Sequence, residues 1–484
     1  MKRILFTLAT TILSSTALTQ NIMGNWEGIL TVQGSIISLV FHISADSTGK
    51  FSATFDSPRQ QAFNLPFNEV ILRGDSLELQ MNKIKGKYIG KLDGTKKNLS
   101  GIWYQGQGSL PLNMKKVSGV VTIQEQKRPQ TPKPPFPYLS EDVEYDNLDK
   151  TIHFGGTFTV PLPKAGVDLQ KAGVYPTVLM ITGSGKQDRD ETIFGHKPFA
   201  VIADYLTRHG IAVLRVDDRD MGKTTGNFNT ATTADFAKDV EAGLDYLKTR
   251  KEVDIHNLGL MGHSEGGMIA PMVALVRPEV KFIVLLAGPG VKIKDLMEQQ
   301  NIDVAATQGV SKEELEQFRP LYRKMISTIL AEKDSTKAKE KAVTVIKKWE
   351  KNKTPSLVKN TTGISDEKSL EAFARSFVKE LNQPWFNYFI QFDPAFYLTR
   401  IKCAVLALNG EKDIQVSAKS NLAGIQFALE KGKNRNFKTI EISGANHLFQ
   451  HCKKCSVDEY GELEETFAPE VLEMIGTWIN KTVH

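Results

Sequence analysis

GHSEGGMIAP, residues Gly262 to Pro271, follows the apolar run LGLM and decides how the rest of the chain is read. A serine with glycine two residues before and two after fits Gly-x-Ser-x-Gly, in which the serine stands on a sharp bend between a strand and a helix. Side chains at either flanking position would clash at such a bend, and Gly262 and Gly266 relieve that. The helix that opens there turns its free N–H groups and positive dipole end toward the hydroxyl. A serine that merely capped the helix would account for Ser264 but not for both glycines.

A hydroxyl is a poor nucleophile without a base, and the base needs a group to orient it. Among nine histidines, His447 lies in ISGANHLFQ, directly after the last apolar strand-like run KTIEISG. His451, one helical turn later, is its nearest rival, and His263 sits in the bend itself, where it cannot reach its neighbour's hydroxyl usefully. The acid is read as Asp413 in LALNGEKDIQV, following a turn at Asn409-Gly410, with Glu411 as the competitor. Ser264, Asp413 and His447 then all stand at the carboxyl ends of strands, where open α/β sheets bind ligands. Charge developing on a carbonyl oxygen needs two N–H donors. The backbone of Glu265 supplies one, and Gly183-Ser184-Gly185 supplies the other, with the Ser184 N–H as the candidate. That loop lacks the spacing of a phosphate-binding loop. Beside it, Asp188-Arg189-Asp190 reads as a charge-assisted brace for the loop, or Arg189 as a grip on an acidic substrate group.

Working outward, TVLMITG, AVLRVDD, KFIVLLAG, CAVLALNG and KTIEISG are short apolar runs that alternate with helical stretches. That pattern predicts a mostly parallel, doubly wound sheet with right-handed crossovers. The alternation breaks over residues 291–400, which are amphipathic with a helical period and predict a helical cap inserted between two strands. Its aromatic end, Trp385, Phe386, Tyr388 and Phe389, reads as core, as a substrate wall, or as both. Residues 20–126 are a succession of short, partly alternating segments split by turn formers, which predicts a small all-β barrel or sandwich. Its opening GNWEG resembles the start of lipocalin-like barrels, so both a ligand-binding and an accessory role are open. Five prolines between Pro129 and Pro137 mark residues 127–140 as a stiff linker, leaving 141–484 as the catalytic domain.

TGSGKQDRD, RVDDRDMGKTTG, GHSEGG, LNGEKD and ANHLF together resemble the α/β-hydrolase superfamily, in particular secreted bacterial esterases related to dienelactone hydrolases and prolyl oligopeptidases. The resemblance implies an α/β-hydrolase fold with Ser264 as nucleophile, His447 as base and Asp413 as its orienter. In chain order these are the triad order of that superfamily. Where such sequences have Arg-Gly-x-Gly, this one has Arg219-Asp220-Met221-Gly222, a departure that bears on substrate preference. The expected activity is hydrolysis of a small-molecule carboxylic ester through an acyl-enzyme. A peptidase on the same scaffold is the second reading, and a non-enzymatic binding protein the third.

Composition bounds the rest. At 484 residues the chain is long enough for two or three domains, and a net charge of +6 gives no reason to expect nucleic acid as a partner. MKR, then ILFTLATTIL, then the small residues of STALTQ predict a signal peptide over residues 1–19 and an exported protein, periplasmic or extracellular, with no membrane span. Cys403 reads as a packed free thiol; Cys452 and Cys455 can pair, or join His451 in part of a metal site for which no second ligand pair is visible. Nothing calls for a cofactor or a metal.

Overall fold

The computed structural model describes residues 22–32, 35–57, 62–105, 108–117, 127–162 and 173–483. The expected signal peptide lies outside them. The chain divides into two units, Met1–Gln126 and Lys127–His484.

Among the described residues, the first unit forms a sheet of ten strands joined by antiparallel pairings. Alternation of buried and less buried residues along Ser76–Met81 and Gly86–Leu92 gives it one apolar face. Trp26, Phe41, Phe55, Phe67, Tyr88 and Trp103 fill that face, with Phe41 set edge-on to Phe67 at 5.3 Å and to Tyr88 at 5.2 Å. The cross-strand pair Gly90 and Gly101 makes room for the Tyr88 ring, since a β-carbon on either would collide with it.

The second unit carries an eight-stranded sheet: β1 (Tyr138–Asp146), β2 (His153–Pro161), β3 (Tyr175–Ile181), β4 (Ala212–Val216), β5 (Val253–His263), β6 (Val280–Leu286), β7 (Ala404–Gly410) and β8 (Phe437–Ile442). The spatial order is β1-β2-β4-β3-β5-β6-β7-β8. β1 and β2 are antiparallel to their neighbours and all the other pairings are parallel. This is the α/β-hydrolase fold. Every residue of β7 is buried, as a strand covered on both faces requires.

The covering helices are α1 (Pro198–Arg208), α2 (Thr233–Leu247), α3 (Gly266–Val276), α4 (Ile293–Thr307), α5 (Lys312–Leu330), α6 (Ser335–Glu350), α7 (Pro355–Thr362), α8 (Glu367–Leu381), α9 (Pro384–Ile390), α10 (Pro394–Leu398), α11 (Ala418–Lys431) and α12 (Pro469–Val483). Apolar residues of α1 and α12 join one core cluster, with Phe199, Leu206, Leu472 and Ile475. Those of α2, α3 and α11 join the cluster on the opposite face. Helices α4 to α10 make up the insertion between β6 and β7. Their starts follow local chemistry: Ser311 and Glu314 form a capping box, the Asp334 carboxylate accepts from two N–H groups, and Asp366 pairs reciprocally with Ser369. Met325, Ile329, Ala342, Ala374 and Val378 of the insertion belong to the same core cluster as the α2–α3 face of the sheet. No helix among the described residues is long and apolar enough to cross a membrane.

The proline-rich stretch begins fastened to the second unit. The Arg128 guanidinium donates to the carbonyls of Phe194, Gly461 and Leu463, and Gln130 bonds the backbone of Thr466 and Phe467.

Candidate active site

Strand β5 ends at His263, and Ser264 follows with φ of +51°. That left-handed conformation costs a non-glycine residue of order 1–3 kcal/mol and persists only where the surroundings impose it. Here the Ser264 N–H donates to Leu286 O at 2.8 Å, and its carbonyl accepts from Gly267 N at 2.9 Å as α3 begins. A β-carbon on Gly262 would strike the Gly266 carbonyl, and one on Gly266 would strike the Ile181 carbonyl. Both glycines are therefore set by backbone contact, which a helix cap alone would not demand.

The base loop and the acid loop meet in the interior. His447 Nδ1 lies 2.7 Å from Asp413 Oδ2, and the Asp413 side chain is fully buried. Asp413 Oδ1 accepts from the N–H groups of Gln415 and Val416, both at 2.8 Å, and Oδ2 also accepts from Asn409 Nδ2 at 3.1 Å. The structure corrects one detail of the sequence reading: Asn409 and Gly410 form no turn but pair with Glu441 and Ile442 as the end of β7. The glycine is needed because a β-carbon at 410 would meet the carbonyls of Ala445 and Asn446 in the base loop. Glu411 points elsewhere. It bonds Lys412, Gly444 N and the Ser443 hydroxyl, which hold its carboxyl down at about 2. His451 pairs with Glu465 and Glu470 on the surface. The base loop is shaped by Asn446, whose Oδ1 accepts from Leu448 N and Gln450 N.

The loop after β3 packs against the serine: a β-carbon on Gly183 would lie 3.3 Å from Ser264 Cβ. Glu191 Oε1 accepts from Gly183 N at 2.7 Å and lies 2.9 Å from His263 Nδ1; His263 Nε2 lies 3.0 Å from the His447 carbonyl oxygen. Both ring nitrogens thus face acceptors, an arrangement that a doubly protonated imidazolium satisfies and a neutral ring does not. Burial pulls the His263 pKa down, but the Glu191 charge and hydrogen bond, with the His447 carbonyl, outweigh it and the net direction is up. His263 therefore has a place of its own, joining the end of β5 to the loop after β3 and to the base loop, which the sequence reading did not give it.

Glu265 is similar. Its backbone was singled out from the sequence, yet its carboxylate is buried and Oε1 accepts from Thr233 Oγ1 at 2.6 Å and Trp385 Nε1 at 2.9 Å. The Ser184 hydroxyl adjoins the same carboxyl and favours its charged form. Nothing in GHSEGG alone points to these partners, because all three come from distant segments. A cavity of about 60 Å³ adjoins, lined by Phe154, Leu179, Gly183, Asp218, Phe236 and Glu265.

Arg189 is committed to the protein. It grips Asp217 through Nε and Nη2, at 3.1 and 2.6 Å, while Nη1 reaches Gly156 O, Thr157 Oγ1 and Asp142. Its neighbour Asp190 pairs with Arg215 and Lys197. These contacts are those of a brace for the loop. Cys452 and Cys455 are joined in a disulfide; Cys403 is free.

Comparison with known proteins places part of this chain. The family model Hydrolase_4, serine aminopeptidase S33, matches residues 197–357, a stretch that includes Ser264 but neither Asp413 nor His447. Esterase EstD of Thermotoga maritima is 29% identical over 166 residues, 34% of this chain and 38% of that protein, so the match spans little more than a third of the relative's length. Among solved structures, an esterase of Pyrococcus furiosus is similar with a TM-score of 0.42 and 16% identity, covering 72% of this chain and 92% of that one. Est1E from Butyrivibrio proteoclasticus, solved with ferulic acid bound, has a TM-score of 0.39 and 15% identity, covering 70% of this chain and 99% of that one.

Proposed function

We propose that the second unit is a serine hydrolase of carboxylic esters that works through an acyl-enzyme. The observation that carries the reading is the buried 2.7 Å contact between His447 and Asp413 on a fold whose β5 is followed directly by a serine with positive φ. In this reading Ser264 Oγ attacks the ester carbonyl and His447 accepts its proton through Nε2. Asp413 fixes the ring with Nδ1–H toward the carboxylate and steadies the imidazolium that forms. The alkoxide of the tetrahedral intermediate is received by the backbone N–H groups of Glu265 and Ser184. His447 returns the proton to the departing alcohol, leaving the acyl group on Ser264. Water then repeats the sequence and releases the acid.

The test is labelling with a fluorophosphonate, followed by mapping of the modified peptide. Attachment at Ser264, together with loss of p-nitrophenyl acetate hydrolysis in Ser264→Ala, is the expected result; ester turnover that survives in Ser264→Ala would refute the reading. The serine aminopeptidase family match favours a second reading, cleavage of an amide at a free amino terminus. Faster turnover of aminoacyl arylamides than of matched esters would establish it. Residues 1–19 are proposed to direct export, and amino-terminal sequencing of the protein recovered outside the cytoplasm should then begin near Gln20.

A further inference from the structure

Why should an acid follow the nucleophile directly? A carboxylate in a buried position is unfavourable unless its oxygens are satisfied by donors. Glu265 is 2% exposed and accepts from two separate segments, Thr233 at the start of α2 and Trp385 in α9 of the insertion, while Ser184 in the loop after β3 adjoins it. Two of these four residues, Ser184 and Glu265, are the ones whose N–H groups are assigned to the alkoxide. The Ser184 hydroxyl lies close enough to the Glu265 carboxyl to favour its charged form. The carboxyl thus adjoins both donor residues, and it is held by an indole from the cap.

We propose that the Glu265 carboxyl is the positioning group of the oxyanion hole, and that it ties the hole's geometry to the seating of α9 through Trp385. The inference rests on the hydrolase reading above. Three observations bear on it. Glu265 Oε1 accepts from both Thr233 and Trp385, so the indole and the α2 terminus converge on one atom. Trp385 is stacked on Phe389 with ring centroids 4.9 Å apart, so its N–H direction is set by packing within α9. Gly183, next to Ser184, is held independently by Glu191, which leaves the outer part of the loop to be aligned by Glu265. Burial raises the Glu265 carboxyl, and the hydrogen bonds from Thr233 and Trp385, with the nearby Ser184 hydroxyl, offset it only in part, so the net direction is up.

The experiment compares wild type, Glu265→Ala, Glu265→Gln, Ser184→Ala and Trp385→Phe in p-nitrophenyl acetate hydrolysis and in affinity for a short-chain alkyl trifluoromethyl ketone. The hemiketal oxygen of that ketone occupies the oxyanion hole. A misplacement of about 1 Å at such a site can cost about 10²-fold in rate. Glu265→Ala is therefore expected to lose about 10²-fold in kcat and a similar factor in ketone affinity, with KM within about twofold. Glu265→Gln, which keeps an acceptor for Thr233 and Trp385 and still adjoins Ser184, should recover most of the loss. Trp385→Phe and Ser184→Ala should fall between, with kcat and ketone affinity declining together. A purely structural role would lower melting temperature or raise KM without that parallel decline, and either pattern would overturn the proposal. If Glu265→Ala is insoluble, wild-type kcat and ketone affinity in both Trp385→Phe and Ser184→Ala overturn it as well. Failure of the parent reading looks different: Ser264→Ala would retain ester hydrolysis, and both assignments would fall together.

Discussion

Gly410 at the end of β7 packs directly on the carbonyl of Ala445, so the strand that carries the acid touches the loop that carries the base. The contact sets the approach of Asp413 and His447 before any side chain is considered. If that pairing is the working one, Asp413→Asn should lower kcat by about 10⁴-fold, because the amide favours the wrong imidazole tautomer. Glu411→Gln should leave kcat within about twofold, as expected of a substitution away from the reacting groups. Steady-state hydrolysis of p-nitrophenyl acetate by the two variants checks both.

Glu411 also provides a pH signature. Its carboxyl is held at about 2, below the ordinary value near 4.5. A depressed pKa means that its contribution to stability is present above the unfolded value and is lost as pH falls toward 2. Melting temperatures of wild type and Glu411→Gln should differ at pH 7 and converge between pH 4.5 and pH 2.

His263 has the opposite sign. Its folded pKa is raised by Glu191, so the pair's stabilisation is complete below the unfolded histidine value and disappears as pH rises through the folded one. The gap in melting temperature between wild type and His263→Gln should be widest at pH 6 and narrow in the alkaline range. In ¹⁵N-histidine spectra at pH 6, His263 should show both ring nitrogens protonated.

Ser264 stands at φ of +51°, where glycine is free of the clash that any β-carbon suffers. Ser264→Gly should therefore exceed Ser264→Ala in stability by about 1 kcal/mol, although both are inactive. Thermal denaturation of the two variants side by side measures the difference.

The disulfide offers a fifth comparison. Cys452 and Cys455 are only three residues apart, and a loop that short gains about 2 kcal/mol or less from closure. Glu459 meanwhile accepts from the N–H groups of Lys453, Lys454 and Cys455 and holds the turn independently. The double variant Cys452→Ser, Cys455→Ser should keep kcat within about twofold, again as for a change remote from the reacting groups. Its denaturant midpoint should shift only slightly.

Much of this was legible in the sequence, for identifiable reasons. Ser264, Asp413 and His447 each follow an apolar run, and a parallel sheet brings the ends of such runs to one edge whatever the loops do. The insertion was legible because helical periodicity persists over its length, and helices span Ile293 to Leu398. Asn409-Gly410 was misread as a turn because the pair is a strong turn signal, whereas here the glycine answers to a close approach from a loop more than thirty residues on. The roles of His263 and of the Glu265 carboxylate were invisible for a related reason. Each depends on partners, Glu191, Thr233 and Trp385, that are distant in sequence and carry no local pattern.

The anchoring of Arg128 and Gln130 has a practical corollary for anyone expressing the second unit by itself. A fragment begun at residue 141 would discard the first residues of β1 and withdraw a guanidinium from the carbonyls of Phe194, Gly461 and Leu463. Gln450, three residues beyond His447, bonds the carbonyl of Tyr460 just ahead of that anchor point. Loosening of the segment would thus be felt close to the base. A fragment begun at residue 127 keeps the clasp.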